Sequence, residues 1–128
     1  MLYSFQQHFT ILVPPWQHIA DDVTLLRNLH YTTRAEFVNL YGCKIGDNTK
    51  IGSFCEIRKT VVIGKNCKIQ AFVFIPEGVT IEDNVFVGPH ACFINDKVPR
   101  ATDENGNLLD ESEWACVPTT VKKGASIG

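Results

Sequence analysis

Two adjacent polar residues, Asn95 and Asp96, are the first candidates for chemistry in this 128-residue chain. An asparagine amide can accept a hydrogen bond from a donor group and so orient it, and a neighbouring carboxylate can stabilise or receive a proton. Asn and Asp also favour tight turns, so the pair could instead only shape a corner of the chain. The residue types therefore indicate either hydrogen bonding with proton transfer or a turn.

His90 is the second candidate, because histidine titrates near neutral pH and is the usual general base. It ends a Gly-Pro-His turn, at the position that Asn48, Asn66 and Asn84 occupy in their own turns. Histidine and asparagine are both enriched in left-handed corner conformations. A catalytic role and a purely conformational role for His90 therefore both stay open.

A six-residue repeat predicts the elements that position these residues. The main set of repeated residues is Ile45, Ile51, Ile57, Ile63, Ile69, Ile75, Ile81, Val87 and Phe93. A mostly small or β-branched residue precedes each of them by two positions, and turns rich in Gly, Pro and Asn lie between. The even period fits the alternation of a strand and misfits a helix. Such hexads are typical of an all-β, parallel β-helix solenoid.

Three hexads per turn would stack the repeated residues in columns, with Ile45, Ile63 and Ile81 on one face. Successive rungs would lie ~4.8 Å apart, and the narrow interior would be filled by side chains. All chemistry is then expected on the outside. Adjacent corners would be ~13 to 17 Å apart, so His90 and Asn95 of one chain could act together only across a subunit interface.

The repeat does not extend over the whole chain. Residues 1–38 depart from its register and are predicted to form a capping segment, since an open terminal rung exposes apolar side chains and strand edges. Residues 39–128 are predicted to form the β-helix domain, with a charged external loop at 95–118 that is long enough to suggest function. Because the sequence stops in mid-repeat after Ile127, we expect a fragment of a longer protein or a natural truncation.

Composition and cysteine usage exclude several classes of function. The formal net charge of −2 provides no basic stripe for nucleic acid, and no apolar stretch is long enough to span a membrane. We therefore expect a cytoplasmic protein that binds neither. Cys43, Cys55 and Cys67 fall at inward positions on three different faces, where they are expected to pack as small apolar residues. No ligand spacing predicts a metal site.

Three segments resemble bacterial left-handed β-helix acyltransferases. They are NLYGCKIGDNTKIG at 39–52, VFVGPH at 85–90 running into FINDKVPRA at 93–101, and PTTVKKGASIG at 118–128. Within that superfamily, the combination of the ND and PRA elements, an acidic loop with a tryptophan and the VKKGASIG re-entry is most similar to N-acetyltransferases of nucleotide-linked amino sugars. The resemblance covers about residues 39–128.

The resemblance implies a reaction, a cofactor and an assembly. The amine of a nucleotide-linked sugar would attack the thioester of acetyl-CoA, giving an amide and free CoA, in the biosynthesis of a surface polysaccharide such as O-antigen lipopolysaccharide. Acetyl-CoA would bind at a subunit boundary of a homotrimer. The family points to Asn95 as the residue that orients the amine, with Asp96 and His90 as further catalytic candidates.

Other residues are assigned from the chemistry that this reaction needs. Lys122 and Lys123 are candidates for the CoA phosphates, and Arg100 for the diphosphate of the sugar nucleotide. Trp114 could stack on the nucleotide base. Gly124 and Ala125 lie in a tight rung that CoA could approach closely, and backbone N–H groups near them could stabilise the oxyanion. Solvated charge, loop packing and an ordinary repeat corner are the respective alternatives.

Two other functions fit the same sequence. A sugar O-acetyltransferase would share the fold but would need a stronger general base, for which His90 is the candidate. A truncated, non-catalytic trimerisation scaffold would keep the prism without the later coils that wall a CoA site. A γ-type carbonic anhydrase is excluded, because it needs three histidine ligands and only His90 lies within the repeats.

Overall fold

The computed structural model describes residues 38–110 and 112–128, and nearer the N-terminus the backbone of four strands only. The strands are β1 (Leu2–Phe5), β2 (Phe9–Leu12), β3 (Thr24–Leu25), β4 (His30–Tyr31), β5 (Asn39–Leu40), β6 (Lys44–Ile45), β7 (Lys50–Ile51), β8 (Glu56–Ile57), β9 (Val62–Ile63), β10 (Lys68–Ile69), β11 (Phe74–Ile75), β12 (Val79–Ile81), β13 (Phe86–Val87), β14 (Thr119–Val121) and β15 (Ser126–Ile127). No helix in the described part of the chain is long and apolar enough to cross a membrane.

Three parallel sheets form the sides of a prism. Their strand orders are β3-β6-β9-β12-β14, β4-β7-β10-β13-β15 and β5-β8-β11. Successive strands of the chain pass from one sheet to the next, so each circuit of three strands makes one rung. The predicted left-handed parallel β-helix is confirmed.

Strand register stacks the repeated residues in the predicted columns. Ile63 pairs with Ile45 on one side and with Ile81 on the other, and Ile81 then pairs with Val121 beyond the external loop. These side chains are all buried, and with the small residues two positions earlier they fill the axis. The interior is therefore a packed core and not a ligand cavity.

One buried polar side chain lies within this apolar axis. Its hydrogen bonds are made, so its burial carries no penalty for an unsatisfied polar group. Thr49 is fully buried, and its Oγ1 donates to the carbonyl of Gly64 at 2.7 Å and accepts from the N–H of Cys67 at 3.0 Å. Because the hydroxyl both donates and accepts a hydrogen bond, Thr49 leaves no unsatisfied polar group in the core.

The inward cysteines behave as predicted. Cys43, Cys55 and Cys67 are buried, form no disulfide and directly precede strands of three different sheets. Burial raises the pKa of the Cys55 and Cys67 thiols, which keeps them protonated and poorly nucleophilic. They contribute packing to the core and no thiol chemistry.

The N-terminal region contributes strand backbone to the first rung. β3 pairs in parallel with β6 and β4 with β7, while β1 and β2 form an antiparallel hairpin. Leu25 and Tyr31 are in register with the columns, but the uneven spacing from Tyr31 to Leu40 hides this rung from a six-residue search. The rest of 1–37 lies outside the described residues, so the capping role of 1–38 stays a prediction.

Candidate functional site

The three corners of the prism carry different residues at their left-handed turn positions. Phe54, Phe72 and His90 stack along what we call the aromatic corner; Gly42, Thr60 and Gly78 line the loop corner, where the external loop leaves; Asn48, Asn66, Asn84 and Gly124 line the asparagine corner. All of these residues have positive φ. Each corner can therefore present its own chemistry while the rungs repeat.

The external loop leaves the prism after Phe93 and returns at β14. Its two ends meet, because the N–H of Val117 donates to the carbonyl of Asn95 at 2.7 Å. Farther out, an antiparallel bridge joins Thr102 to Leu108. The loop is thus closed at its base and has local structure of its own.

A cleft of about 340 Å³ opens between the base of the loop and its outer part. Its lining residues are Asn95, Asp96, Pro99, Arg100, Leu109, Asp110 and Trp114. Four residues predicted from the sequence, Asn95, Asp96, Arg100 and Trp114, are among them. The structure brings these four together, and their individual roles stay predictions.

Asn95 is held by its amide nitrogen. Its Nδ2 donates to the backbone carbonyl of Glu77 at 3.0 Å, one rung below and 18 residues earlier in the chain. The amide oxygen Oδ1 is then the atom that remains to accept a hydrogen bond. This is the polarity that an amine N–H requires.

Asp96 makes the turn that its residue type allowed, and its catalytic role stays a prediction. Its Oδ1 accepts from the N–H of Val98 at 2.8 Å, which is the turn interaction expected of an aspartate at a loop corner. Its side chain also lines the cleft beside Asn95. The turn fixes the position of the carboxylate there.

The charge of the cleft favours an electropositive ligand group next to Asn95. Two carboxylates, Asp96 and Asp110, line it together with one cation, Arg100. Hydrogen bonds from the Ser112 side chain and backbone lower the pKa of Asp110, so it stays ionised near neutral pH. The two carboxylates give one part of this surface a negative charge, and binding of a phosphate by Arg100 stays a prediction.

His90 lies at the aromatic corner, away from the cleft. Its ring stacks on Phe72 with centroids 4.8 Å apart, and Phe72 stacks on Phe54 at the same separation. Its backbone has a φ of 61°, so the conformational role is realised. Its column neighbours are thus aromatic, whereas Asn48 and its equivalents belong to another corner. Within one chain the structure does not bring His90 and Asn95 together.

The predicted CoA-binding residues lie at the asparagine corner, also away from the cleft. Lys122 Nζ contacts Glu82 Oε1 at 2.9 Å, and the N–H of Lys123 donates to Glu82 Oε2 at 2.8 Å. The hydrogen bond from Lys122 is the main cause that lowers the pKa of Glu82. Binding of CoA phosphates by these lysines stays a prediction.

The N–H groups of Gly124 and Ala125 themselves already have backbone acceptors, and the oxyanion role predicted for N–H groups near them is not tested. The N–H of Gly124 donates to the carbonyl of Asp83 at 3.0 Å, and that of Ala125 donates to the carbonyl of Lys122 at 3.1 Å. Both donors are used to close the rung, because each corner repeats the same hydrogen bonds as the one below it. Contact of these residues with CoA is a separate prediction that stays untested.

Sequence reasoning missed the corner that supports Asn95. Glu77 accepts from Asn95 and from the Cys116 thiol through its backbone carbonyl, while its carboxylate pairs with Arg58 at 3.2 Å. Burial opposes the charge of Arg58, but Glu77 and Glu56 outweigh it and raise its pKa. A residue 18 positions before a site residue lies directly beneath it, and that offset was the available signal.

A second cleft, of about 290 Å³, lies on the same corner. It is lined by Tyr41, Arg58, Lys59 and Glu77. The guanidinium of Arg58 sits over the ring of Tyr41, 5.9 Å from its centroid. Arg58 is already paired with carboxylates, so this cleft has less free positive charge than its composition suggests.

A family model described as bacterial transferase hexapeptide (six repeats) matches residues 42–77 and 60–95. Residues 42–95 are therefore hexapeptide repeats. Over these residues the chain is similar to bacterial hexapeptide transferases, and the parallel prism is the fold expected of such repeats. No curated protein matches the chain significantly. No three His, Cys, Asp or Glu side chains of the described residues are grouped to hold a metal ion.

Proposed function

We propose that the chain is an acetyl-CoA-dependent N-acetyltransferase that acts on a nucleotide-linked amino sugar, in the assembly of a surface polysaccharide. The transferase repeats support the reaction class. The observation that carries the proposal is the loop cleft, where Asn95 retains an amide acceptor between carboxylates that attract an amine and an arginine that can bind phosphate.

The reaction needs an uncharged amine aimed at the thioester, so an ammonium group attracted by the carboxylates must first lose one proton to solvent. Asn95 Oδ1 accepts one amine N–H, which directs the nitrogen lone pair to the acetyl carbonyl carbon. The new C–N bond forms as the C–S bond breaks, and the amine proton passes to Asp96 or to water, while CoA leaves as the thiolate. Holding the two reactants in this geometry supplies much of the acceleration.

The rest of the acceptor would extend from this point along the loop. Arg100 would contact the diphosphate, because its guanidinium can donate two parallel hydrogen bonds to phosphate oxygens. Trp114, which is partly exposed in the same cleft, would stack on the base. These contacts would distinguish a nucleotide-linked sugar from the free amino sugar.

A complete site would need a second copy of the chain. Lys122, Lys123 and His90 lie at corners other than that of Asn95, about 13 to 17 Å away along a prism side. A homotrimer would place another copy's corner beside each loop, so that acetyl-CoA would bind between subunits. His90 would then contribute from the neighbouring copy.

The direct test is release of free CoA thiol, followed with a chromogenic disulfide, from acetyl-CoA and a panel of nucleotide-linked amino sugars. Turnover is expected with at least one amine acceptor and not with its hydroxyl analogue. Asn95→Ala should lower kcat/KM about a hundredfold, as expected for a lost positioning contact. Asn105→Ala, an exposed asparagine of the same loop outside the cleft, is the matched control and should retain full activity.

The same assay separates the two alternatives. Turnover of the hydroxyl analogue that His90→Asn abolishes would make the chain an O-acetyltransferase, because asparagine keeps the left-handed corner but cannot act as a base. Absence of saturable acetyl-CoA binding in calorimetry would leave the non-catalytic scaffold. Either result would overturn the proposal.

A further inference from the structure

One peptide unit, the bond between Glu77 and Gly78, joins the candidate site to the rung below. Its carbonyl accepts from Asn95 Nδ2 at 3.0 Å and from the Cys116 thiol at 3.3 Å. Its N–H donates to the hydroxyl of Thr60 at 3.2 Å. Whatever fixes the rotation of this peptide plane also fixes the direction of the Asn95 amide.

Thr60 is in a conformation that its residue type disfavours. It has a φ of 67°, in the left-handed region, where a β-branched side chain is a genuine outlier. The equivalent residues on the rungs below and above are Gly42 and Gly78, which adopt positive φ without strain. The side chain of Thr60 is exposed, so burial in the core does not offset the strain.

Other left-handed residues of the prism that have large side chains make a different stabilising contact. Phe54, Phe72 and His90 are also left-handed, and their rings stack on one another. Thr60 has no ring, and its hydroxyl bonds to the N–H of Gly78. Left-handed φ recurs at every corner of the prism, so what distinguishes Thr60 is this hydrogen bond next to the candidate site.

We infer that Thr60 is a positioning residue for Asn95. Its hydroxyl holds the N–H end of the Glu77–Gly78 peptide, which aims the carbonyl end at Asn95 Nδ2 and leaves Oδ1 for the acceptor. A donated N–H also polarises the carbonyl of the same peptide and strengthens the bond to Asn95. The role of Thr60 in catalysis rests on the proposed function, whereas its hold on the loop base does not.

The test compares three variants in a Cys92→Ser background, in which Cys116 is the exposed thiol of the described residues that remains. Thr60→Gly removes both the strain and the hydroxyl, Thr60→Val keeps the branched side chain without the hydroxyl, and Thr60→Ser keeps the hydroxyl. The readouts are Tm, the rate at which Cys116 reacts with a maleimide, and the values of kcat and KM.

Thr60→Gly is expected to keep or raise Tm, because it relieves the left-handed strain, and to make Cys116 react severalfold faster. Its kcat should fall about tenfold at an unchanged KM, as expected when a reacting group is misaimed. Thr60→Val should share the faster thiol reaction, and Thr60→Ser should match the parent. A purely structural role would instead lower Tm and activity together.

Failure of the proposed function and failure of the positioning role would give different results. If the parent chain turns over none of the acceptors, the proposed function fails, and the Cys116 rate still decides whether Thr60 holds the loop base. If Thr60→Gly leaves both the Cys116 rate and kcat at the parent value, the positioning role is wrong, whatever the acceptor.

Discussion

The prism and the external loop achieve order by opposite means. In the prism, apolar columns are buried and the backbone bonds of one rung are repeated by the next. In the loop, Ile94, Val98 and Leu108 are 75%, 64% and 81% exposed, and order comes from carboxylates that cap turns. Repetition thus provides a rigid support, and a locally capped insertion provides the chemistry.

The comparison also shows how the two regions meet. The loop rests on a backbone carbonyl of the prism, because Asn95 Nδ2 and the Cys116 thiol both donate to the carbonyl of Glu77. The carboxylates that cap its turns are not among the buried residues that form the apolar columns. The stability of the prism and the conformation of the loop should therefore respond to different perturbations.

The largest difference is expected for removal of an isoleucine side chain. Ile69→Ala, at a position 1% exposed, should lower the free energy of unfolding by about 2 to 5 kcal/mol, because it leaves a cavity in a packed column. Ile94→Ala, in the loop, should change it by less than about 0.5 kcal/mol. Urea denaturation followed by circular dichroism measures both, and equal losses would contradict the separation of the two regions.

A second contrast uses the same substitution at two glycines. A Cβ on Gly52 would lie 2.5 Å from the backbone nitrogen of Ala71 on the next rung, so Gly52→Ala should cost about 1 to 3 kcal/mol through overpacking. Gly106 has a φ of 83° in a loop turn with open space around it. Gly106→Ala should strain that turn alone and leave the urea midpoint of the prism unchanged.

Lowering the pH should affect the loop more than the prism, and the effect should be smaller than those of the substitutions above. Hydrogen bonds from the Asn107 side chain and backbone lower the pKa of Asp103 from its ordinary value of 3.8. Because the folded pKa is the lower one, this stabilisation is present above pH ~4 and is lost as the pH falls through the lowered value. Amide exchange measured by NMR should show the Asn107 N–H losing protection in that range.

Two controls accompany the acid titration. The N–H of Asn66, which donates to a backbone carbonyl in the prism, should stay protected at the same pH. Asp103→Asn should remove the pH dependence at Asn107, because an amide does not titrate. Simultaneous loss of protection at Asn66 and Asn107 would show that the loop and prism unfold as one unit.

The smallest effect is expected where the chain rejoins the prism. Lys122 pairs with Glu82 on the surface, with 77% of the lysine side chain exposed. Exposed pairs of this kind contribute little and are screened by salt. Glu82→Gln should therefore leave the Tm unchanged within error at physiological salt, measured by thermal circular dichroism. A clear drop in Tm would mean that the return of the chain to the prism at β14 depends on this ion pair more than on the strand register.

The fold could be predicted because every hexad has the same pattern of inward apolar residues and turn residues. Ile45, Ile63 and Ile81 each place a branched apolar side chain at the same point of a rung, so one column fixes the register of the others. The first rung escaped notice because the spacing between Tyr31 and Leu40 departs from six residues. Regular spacing, more than composition, was the signal.

The candidate site was predictable only in part. Asn95, Asp96, Arg100 and Trp114 are close in sequence or share one loop, so a motif could group them. Thr60 and Glu77 belong to other rungs, and nothing in their local sequence marks them. They become visible only when residues 18 apart are understood as vertical neighbours.

The assignments at the other corners show the limit of motif reasoning. Gly124 looked suited to a close approach by a ligand, yet its N–H is required by the carbonyl of Asp83. His90 looked like its asparagine equivalents, yet it stacks on Phe72. In both cases the vertical neighbour, which a linear motif does not include, decides what the residue does.

Because Val117 meets Asn95, the external loop is an insertion that is attached to the prism at nearly one point. Since the chain departs from the coil and resumes it at nearly one point, segments of other lengths can be exchanged there without altering the hexads on either side. Descendants of one scaffold can thus diversify in what they recognise while inheriting an unchanged framework.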